Sequence, residues 1–410
     1  MRGYEKEMPE IKIKQYHDWW FDNAIEFLGY LLDKIDINVE WNDGISFDSL
    51  KGGDVRRLVE VIEGLIDSKL KYQTKDEKTD LITQKNRAYF PTMHRGKYVS
   101  FLALKITKNQ KKSEKELEKA IEVRKYIIGY ITELLSCEKK EGSNTCDICG
   151  DSVNKVFQVS QTTYPVVTGS LRSQCGVRKM ESEYHSCAIC AFLGSIEWLD
   201  DIPFACDHAN LTHYLLFPKI ENIQELHIFK NKLRETLTQY PYSNVVSILE
   251  SVKGEKREVY AKDEYSLLMS LLEQMWEKIE KISEYELIFC DRWVRLKIKG
   301  LEATYQTKYT YLEDIHIPHI ERLKRIFEEL LPYSNFVSHS FASPLKEGAS
   351  RELIQRLTRE DQYLMSKGLI MDDFKTFSKA FQIRQNCGLS TRKDALNYLI
   401  YTWRCNDGAI

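Results

Sequence analysis

The run Cys146-Asp-Ile-Cys149-Gly150, answered 37 residues later by Cys187-Ala-Ile-Cys190, decides how the middle of this 410-residue chain is read. Each CxxC lets one tight turn aim two thiolates at a single ion, and two such turns complete a tetrahedral set of four sulfurs. Gly150 suits the positive backbone angle on which a knuckle turn closes. Four cysteines leave no open coordination position, so the spacing predicts a structural Zn2+ site made by Cys146, Cys149, Cys187 and Cys190. The intervening stretch exceeds the roughly 15 to 20 residues of a simple ribbon and is expected to hold strands or a loop of its own. A redox dithiol of the thioredoxin kind comes once, at a helix start after a strand, and the doubled motif argues against it. Zinc deaminases need H-x-E with P-C-x-x-C, whereas Thr145 and Ser186 precede the two pairs here. His185, Cys175, Cys206 and His208 are spare ligand candidates.

Outside these pairs the composition is that of a folded chain, with 43% hydrophobic residues, and its length predicts two or three domains. The opening MRGYEKEMPE has no apolar core, and no stretch approaches 18 uninterrupted apolar residues. Secretion and membrane spanning are therefore both disfavoured, and a cytoplasmic location is expected. In that reducing compartment ten cysteines do not read as a disulfide framework.

The net charge of −2 conceals segments of opposite sign. From Lys69 to Lys112 twelve Lys or Arg face only Asp76, Glu77 and Asp80. Within that segment Lys85, Arg87, Arg95 and Lys97 are interleaved with Tyr89, Phe90, Asn86 and Tyr98. Cations hold phosphates, aromatics stack on unpaired bases and amides read base edges, so this composition fits a nucleic-acid contact. Between the cysteine pairs, Ser152 to Met180 contains Lys155, Arg172, Arg178 and Lys179 and no acid. A loop pinned at both ends by a metal can present such donors to a groove. A solvated basic loop and a plain connecting loop fit the same two compositions.

Periodicity supplies the coarse architecture. Trp19, Trp20, Asn23, Ala24, Phe27, Leu28, Leu31 and Leu32 recur at helical spacing, as do Val55 to Ile66 after a predicted N-cap at Asp54. A third helix is expected over Glu114–Leu135, and a strand over Tyr98–Ile106. Glu286–Ile298 and Leu301–Leu312 read as a hairpin turning at Lys299-Gly300. Helical patterns follow over Ile315–Leu331, Arg351–Met365, Asp372–Gln385 and Thr391–Arg404. The fold class expected is α+β: a mixed N-terminal region (1–140), a zinc-ribbon-like CxxC-CxxC module (141–210), a strand-containing continuation of the first region (211–312) and a C-terminal helical bundle (313–410).

Motifs of catalysis are absent or incomplete. Gly52-Gly53-Asp54 resembles the GGDD turn of nucleotide cyclases, but Val55 stands where the second carboxylate would be. His17-Asp18 lacks the further ligands of a metal phosphohydrolase, and Pro318 makes His316-Ile-Pro-His319 a helix start before it makes it a metal clamp. No GxSxG, P-loop or GxGxxG occurs. The chain reads as non-enzymatic.

Trp19-Trp20-Phe21-Asp22-Asn23-Ala24-Ile25-Glu26-Phe27-Leu28-Gly29-Tyr30-Leu31-Leu32 near the N-terminus, followed by CDICG and CAIC near mid-chain, resembles the CXXC-CXXC group of large subunits in type I-B CRISPR Cascade complexes. The resemblance covers these two features, their order and a helical C-terminus. It implies a non-catalytic subunit of an RNA-guided antiviral defence complex, which inspects the protospacer-adjacent motif of target DNA beside the guide RNA handle. The implied partners are guide RNA, target DNA, the other Cascade subunits and a transiently recruited helicase-nuclease, with no membrane. Lys85, Arg87, Arg95, Lys97, Arg172, Arg178 and Lys179 are the residues expected to meet nucleic acid. Two other classes fit the same residues: a zinc-containing nucleotide- or nucleic-acid-processing enzyme related to the polymerase-palm large subunits of type III systems, and a zinc-stabilised scaffold that binds only protein.

Overall fold

A computed structural model of the chain describes residues 10–71, 91–94, 98–101, 125, 128–129, 131–137, 142–159, 163–165, 184–200, 204–207, 212–238, 247–252, 255–260, 265, 268–269, 272, 290–299, 309–320, 323 and 363–386. Strand β1 (Glu10–Lys14) leads into helix α1 (Trp19–Asp33), then β2 (Glu40–Trp41), β3 (Gly44–Asp48) and helix α2 (Gly52–Lys71). Strands β4 (Pro91–His94) and β5 (Tyr98–Phe101) pair antiparallel, with His94 opposite Tyr98. Short strands β6 (Asn144–Thr145), β7 (Ser152–Val153), β8 (Phe157–Gln158) and β9 (His185–Ser186) carry the cysteine region into helix α3 (Ala188–Ile196) and a 3-10 turn at Glu197–Leu199. Strands β10 (Phe204–Asp207) and β11 (Thr212–Pro218), helix α4 (Ile223–Thr238) and the hairpin of β12 (Ser247–Val252) with β13 (Glu255–Tyr260) follow. Strands β14 (Arg292–Lys299) and β15 (Tyr309–His316) and helix α5 (Phe374–Asn386) complete the described elements. The sheets are antiparallel, β1-β3-β2 and β10-β11-β14-β15 being the larger two, so helices and small antiparallel sheets make an α+β arrangement.

Helix α1 is the hub. Its side chains from Trp19 to Leu32 are buried except Tyr30, the signature of a helix surrounded by protein instead of lying on it. It packs on α3, α4, the 3-10 turn, β11 and α2. Asp18 starts it, accepting the backbone N–H of Trp20 at 2.9 Å and of Phe21 at 3.1 Å, so the His17-Asp18 pair is a helix cap. Trp20 sits between Trp198 and Phe217, ring centroids 4.8 and 5.5 Å away, and each large side chain so buried contributes about 1.5 to 3 kcal/mol. One continuous hydrophobic cluster joins α1 and α2 to Cys146, Cys187, Cys190, α3 and β14. No helix among the described residues is long and apolar enough to cross a membrane.

Several expected boundaries move. Helix α2 begins at Gly52, and Asp54 lies inside its first turn, reaching back to the backbone N–H of Lys51 at 2.9 Å; this is the returning half of a capping box instead of an N-cap. The hairpin does not turn at Lys299-Gly300. Lys299 pairs with Tyr309, so nine residues, 300–308, separate the strands. This register sets Ile315 opposite Trp293, both buried, and core burial fixes strand register more firmly than a glycine does. The helix predicted from Ile315 therefore starts later: 309–316 is strand, a turn follows at Pro318, and residues 320 and 323 are helical. In the third predicted helix, residues 125, 128–129 and 131–136 are helical, as expected. The predicted strand Tyr98–Ile106 is strand over Tyr98–Phe101, and 102–106 lie outside the described residues. Near the C-terminus helix continues past Met365 to residue 370, and it packs closely on α5, where a Cβ on Gly368 would come within 2.6 Å of Phe377. The remainder of Arg351–Met365 and all of Thr391–Arg404 lie outside the described residues.

Candidate metal centre and buried charge cluster

The two cysteine pairs meet in different local structures. Hairpin β6–β7 carries the first: the Cys146 N–H donates to Asp151 O at 2.9 Å, and the Gly150 N–H returns to Cys146 O at 2.9 Å. Gly150 stands at φ +76 with nothing within 4 Å of where a Cβ would be, so backbone conformation and not space calls for glycine. The second pair opens helix α3, with Cys187 as its N-cap. Backbone N–H groups point at sulfur in both turns: Cys149 N to Cys146 Sγ at 3.5 Å, Cys190 N to Cys187 Sγ at 3.4 Å, and Cys187 N to Cys146 Sγ at 3.1 Å. Asp147 ties one turn to the other, accepting the His185 N–H at 2.6 Å while its own N–H donates to His185 O at 2.8 Å.

The four Sγ atoms of Cys146, Cys149, Cys187 and Cys190 lie within 4.8 Å of one another. A tetrahedron with metal–sulfur bonds of about 2.3 Å has edges of about 3.8 Å. Cys149 Sγ and Cys187 Sγ stand 3.8 Å apart, so that edge of the cradle has the length a thiophilic tetrahedral ion requires. Hydrogen bonds from the other three thiols hold Cys146 far below the ordinary thiol range, while donating to Cys146 pushes Cys149 and Cys190 far above it. Donating to Cys146 works to raise Cys187, but accepting from Cys149 and Cys190 outweighs it and leaves Cys187 lowered as well, so two of the thiols ionise readily and two do not. A dication at the centre would supply the charge that lets all four ionise.

Of the spare candidates, His185 faces Asp147 with its backbone, Cys206 lies in β10, and Cys175 and His208 lie outside the described residues. Lys85, Arg87, Arg95, Lys97, Arg172, Arg178 and Lys179 also lie outside them. His316 and His319 face separate carboxylates, Asp291 at 3.8 Å and Asp372 at 3.7 Å, and make no joint clamp.

A second polar constellation escaped sequence reading. Arg234 on α4 donates through Nη2 to Glu26 Oε2 at 2.6 Å and to Asp200 Oδ2 at 2.9 Å, and through Nη1 to Glu26 Oε1 at 2.9 Å. Lys230 Nζ lies 2.7 Å from Asp200, 3.2 Å from Glu26 and 3.7 Å from Glu197. His227 Nδ1 donates to Glu26 Oε1 at 2.8 Å, and its ring stacks on Trp41 at 3.9 Å. The three carboxylates and both cations are buried. Burial works to raise Glu26 and Asp200, but the charges of Arg234 and Lys230 outweigh it and hold Glu26 at about 2 and Asp200 lower still. Glu197 differs: burial lifts it to about 8, and neither of its oxygens has a hydrogen-bond partner among the described residues. Three acids against two fixed cations leave one negative charge too many for a dry interior, and Glu197 is the acid that keeps its proton. The available signal was Glu26 itself, an acid set inside the apolar run Ala24–Leu28 of the helix, since Glu is almost never fully buried unless paired.

Compared with known proteins, the chain matches no protein-family model and no curated protein.

Proposed function

We propose that this chain is a non-catalytic large subunit of a type I CRISPR surveillance complex, with Zn2+ held by Cys146, Cys149, Cys187 and Cys190. In this reading it binds target DNA at the protospacer-adjacent motif, alongside guide RNA and the other Cascade subunits in the cytoplasm, and helps to recruit the helicase-nuclease. The observation that carries the zinc assignment is the closed four-sulfur cradle, with Cys149 and Cys187 Sγ 3.8 Å apart and backbone N–H groups aimed at the sulfurs. Four thiolates in a closed set suit a structural zinc. The same ion would pin both ends of the acid-free stretch that carries Arg172, Arg178 and Lys179, and this supports a DNA-facing loop held at its base. Asp54, the carboxylate on which a palm-type enzyme reading rests, bonds Arg57 at 2.9 Å and caps its own helix.

The test is duplex binding across a salt series. Reversing Arg172, Arg178 and Lys179 to Glu is expected to weaken binding of the target duplex and to flatten the dependence of log affinity on log salt by about 0.9 units per lost phosphate contact. Unchanged affinity and slope would remove the loop from the interface. A wild-type chain with no salt-dependent affinity for DNA or RNA would leave the protein-only scaffold in its place.

A further inference from the structure

Tyr16 leaves the sheet of β1 and ends against the metal cradle. Its phenol oxygen lies 3.4 Å from Cys190 Sγ, across 174 residues of sequence. Cys190 is fully buried, and Tyr16 reaches its sulfur from outside the four cysteines. The backbone around it is held from several sides. The Tyr16 N–H donates to Asp22 Oδ1 at 2.9 Å, Gln15 Nε2 donates to Asp22 Oδ2 at 3.2 Å and to Glu221 O at 2.6 Å, and Asp18 caps α1 while accepting the Tyr164 hydroxyl at 2.8 Å. Between Tyr16 and Asp18 the chain passes through His17 at φ +55, a left-handed conformation that side chains other than glycine enter at a cost of order 1 kcal/mol. That turn redirects the chain from β1 into α1 and fixes where the phenol ends.

We infer that Tyr16 is a positioning residue for the metal centre, its phenol donating a hydrogen bond to the Cys190 thiolate and so tuning the ion's hold on that ligand. A thiolate bound to a dication still carries lone-pair density, and a hydrogen bond donated to it stabilises the ionised sulfur that binds the ion, fixes its orientation and shifts the energy of its lone pairs. Losing such an outer partner typically costs 10- to 100-fold in metal affinity. The inference rests on the zinc reading above, and it adds that the joint between β1 and α1 is coupled to the ion.

Cobalt substitution tests it, because cobalt bound by thiolates absorbs through sulfur-to-metal charge transfer. In the full chain Tyr16→Phe is expected to shift those bands and to lower Zn2+ affinity about tenfold in chelator competition. Tyr164→Phe removes a comparable phenol from the same aromatic cluster without touching sulfur, and should leave the bands in place. Superimposable spectra for wild type and Tyr16→Phe, or equal shifts in both variants, would overturn the inference while leaving the metal site standing. A wild-type chain that takes up neither cobalt nor zinc would overturn the zinc reading and this inference with it. Should Tyr16→Phe not fold, 3-fluorotyrosine incorporated at position 16 makes a stronger donor in nearly the same volume; the bands should then move, and their failure to move is the overturning result.

Discussion

Arg234 and Glu26, 208 residues apart in sequence, face each other through a two-pronged ion pair at 2.6 and 2.9 Å, and the other side of the same guanidinium grips Asp200. The planar fork meets both carboxylates at once, which the point charge of a lysine does not do. One side chain thus ties α4 to α1 and to the chain just after the 3-10 turn. Arg234→Met is expected to cost roughly 3 to 5 kcal/mol in urea denaturation, since it leaves buried acids with Lys230 as their remaining cation. Arg234→Lys should recover only part of that loss. A loss under about 1 kcal/mol for Arg234→Met would show that the cluster does not hold these elements together.

Glu197 makes stability depend on pH in the direction opposite to an ion-paired carboxylate such as Glu26. The folded value of Glu197, about 8, lies above the ordinary glutamate value of 4.5. Between these limits the folded chain keeps a proton that the unfolded chain releases, so stability is fully present below the lower value and declines as pH rises to the upper one. The slope is roughly 1 kcal/mol per pH unit. Glu26, held at about 2, acts the other way and loses its contribution only as pH falls below the ordinary carboxylate range. Glu197→Gln should therefore flatten the pH 5 to 8 limb of the melting-temperature profile and raise stability at pH 8. A wild-type profile that is flat or rising over that limb would contradict the assignment.

What could be read from sequence was what neighbours along the chain determine. Helix α1 shows in its apolar spacing, and the knuckles show in Cys-x-x-Cys, because each depends on residues within four positions of one another. Next to His17, Asp18 has the look of half a metal-binding pair and is a cap, since only the start of α1 shows what its carboxylate accepts. The β14–β15 hairpin was misplaced because its register answers to Ile315 and the core, not to the Lys299-Gly300 dipeptide. The charge cluster was invisible for a related reason: Glu26 finds His227 and Arg234 more than 200 residues away. Local patterns carry no information about such partners.

Gly194 is predicted to be intolerant of a methyl group. A Cβ there would lie 1.9 Å from the Thr163 carbonyl oxygen, which is backbone and cannot swing aside. That carbonyl also accepts the Trp20 indole N–H at 2.8 Å, so displacing it disturbs α1 as well as α3. Gly194→Ala should cost about 1 to 3 kcal/mol, as overpacking does, despite the better helix propensity of alanine. Denaturation followed by tryptophan fluorescence reports both the loss and the change around Trp20. A stabilised Gly194→Ala variant would show that residues 163–165 do not approach α3 this closely.

Cys187→Ser separates the metal from the helix start. Cys187 is both a candidate ligand and the N-cap of α3, its sulfur accepting the Cys190 N–H at 3.4 Å. Serine is among the preferred N-cap residues, so the substitution preserves the cap while removing a thiolate. Any large loss of stability then belongs to the ion. The wild-type chain is expected to carry about one zinc, and Cys187→Ser close to none by elemental analysis. Because ligand binding free energy becomes folding free energy in sites of this kind, a strong chelator should lower the wild-type melting temperature toward that of Cys187→Ser. The same chelator should leave the variant's own melting temperature unmoved. Metal-free wild-type protein that melts at the same temperature with and without added zinc would refute a structural metal at these four cysteines.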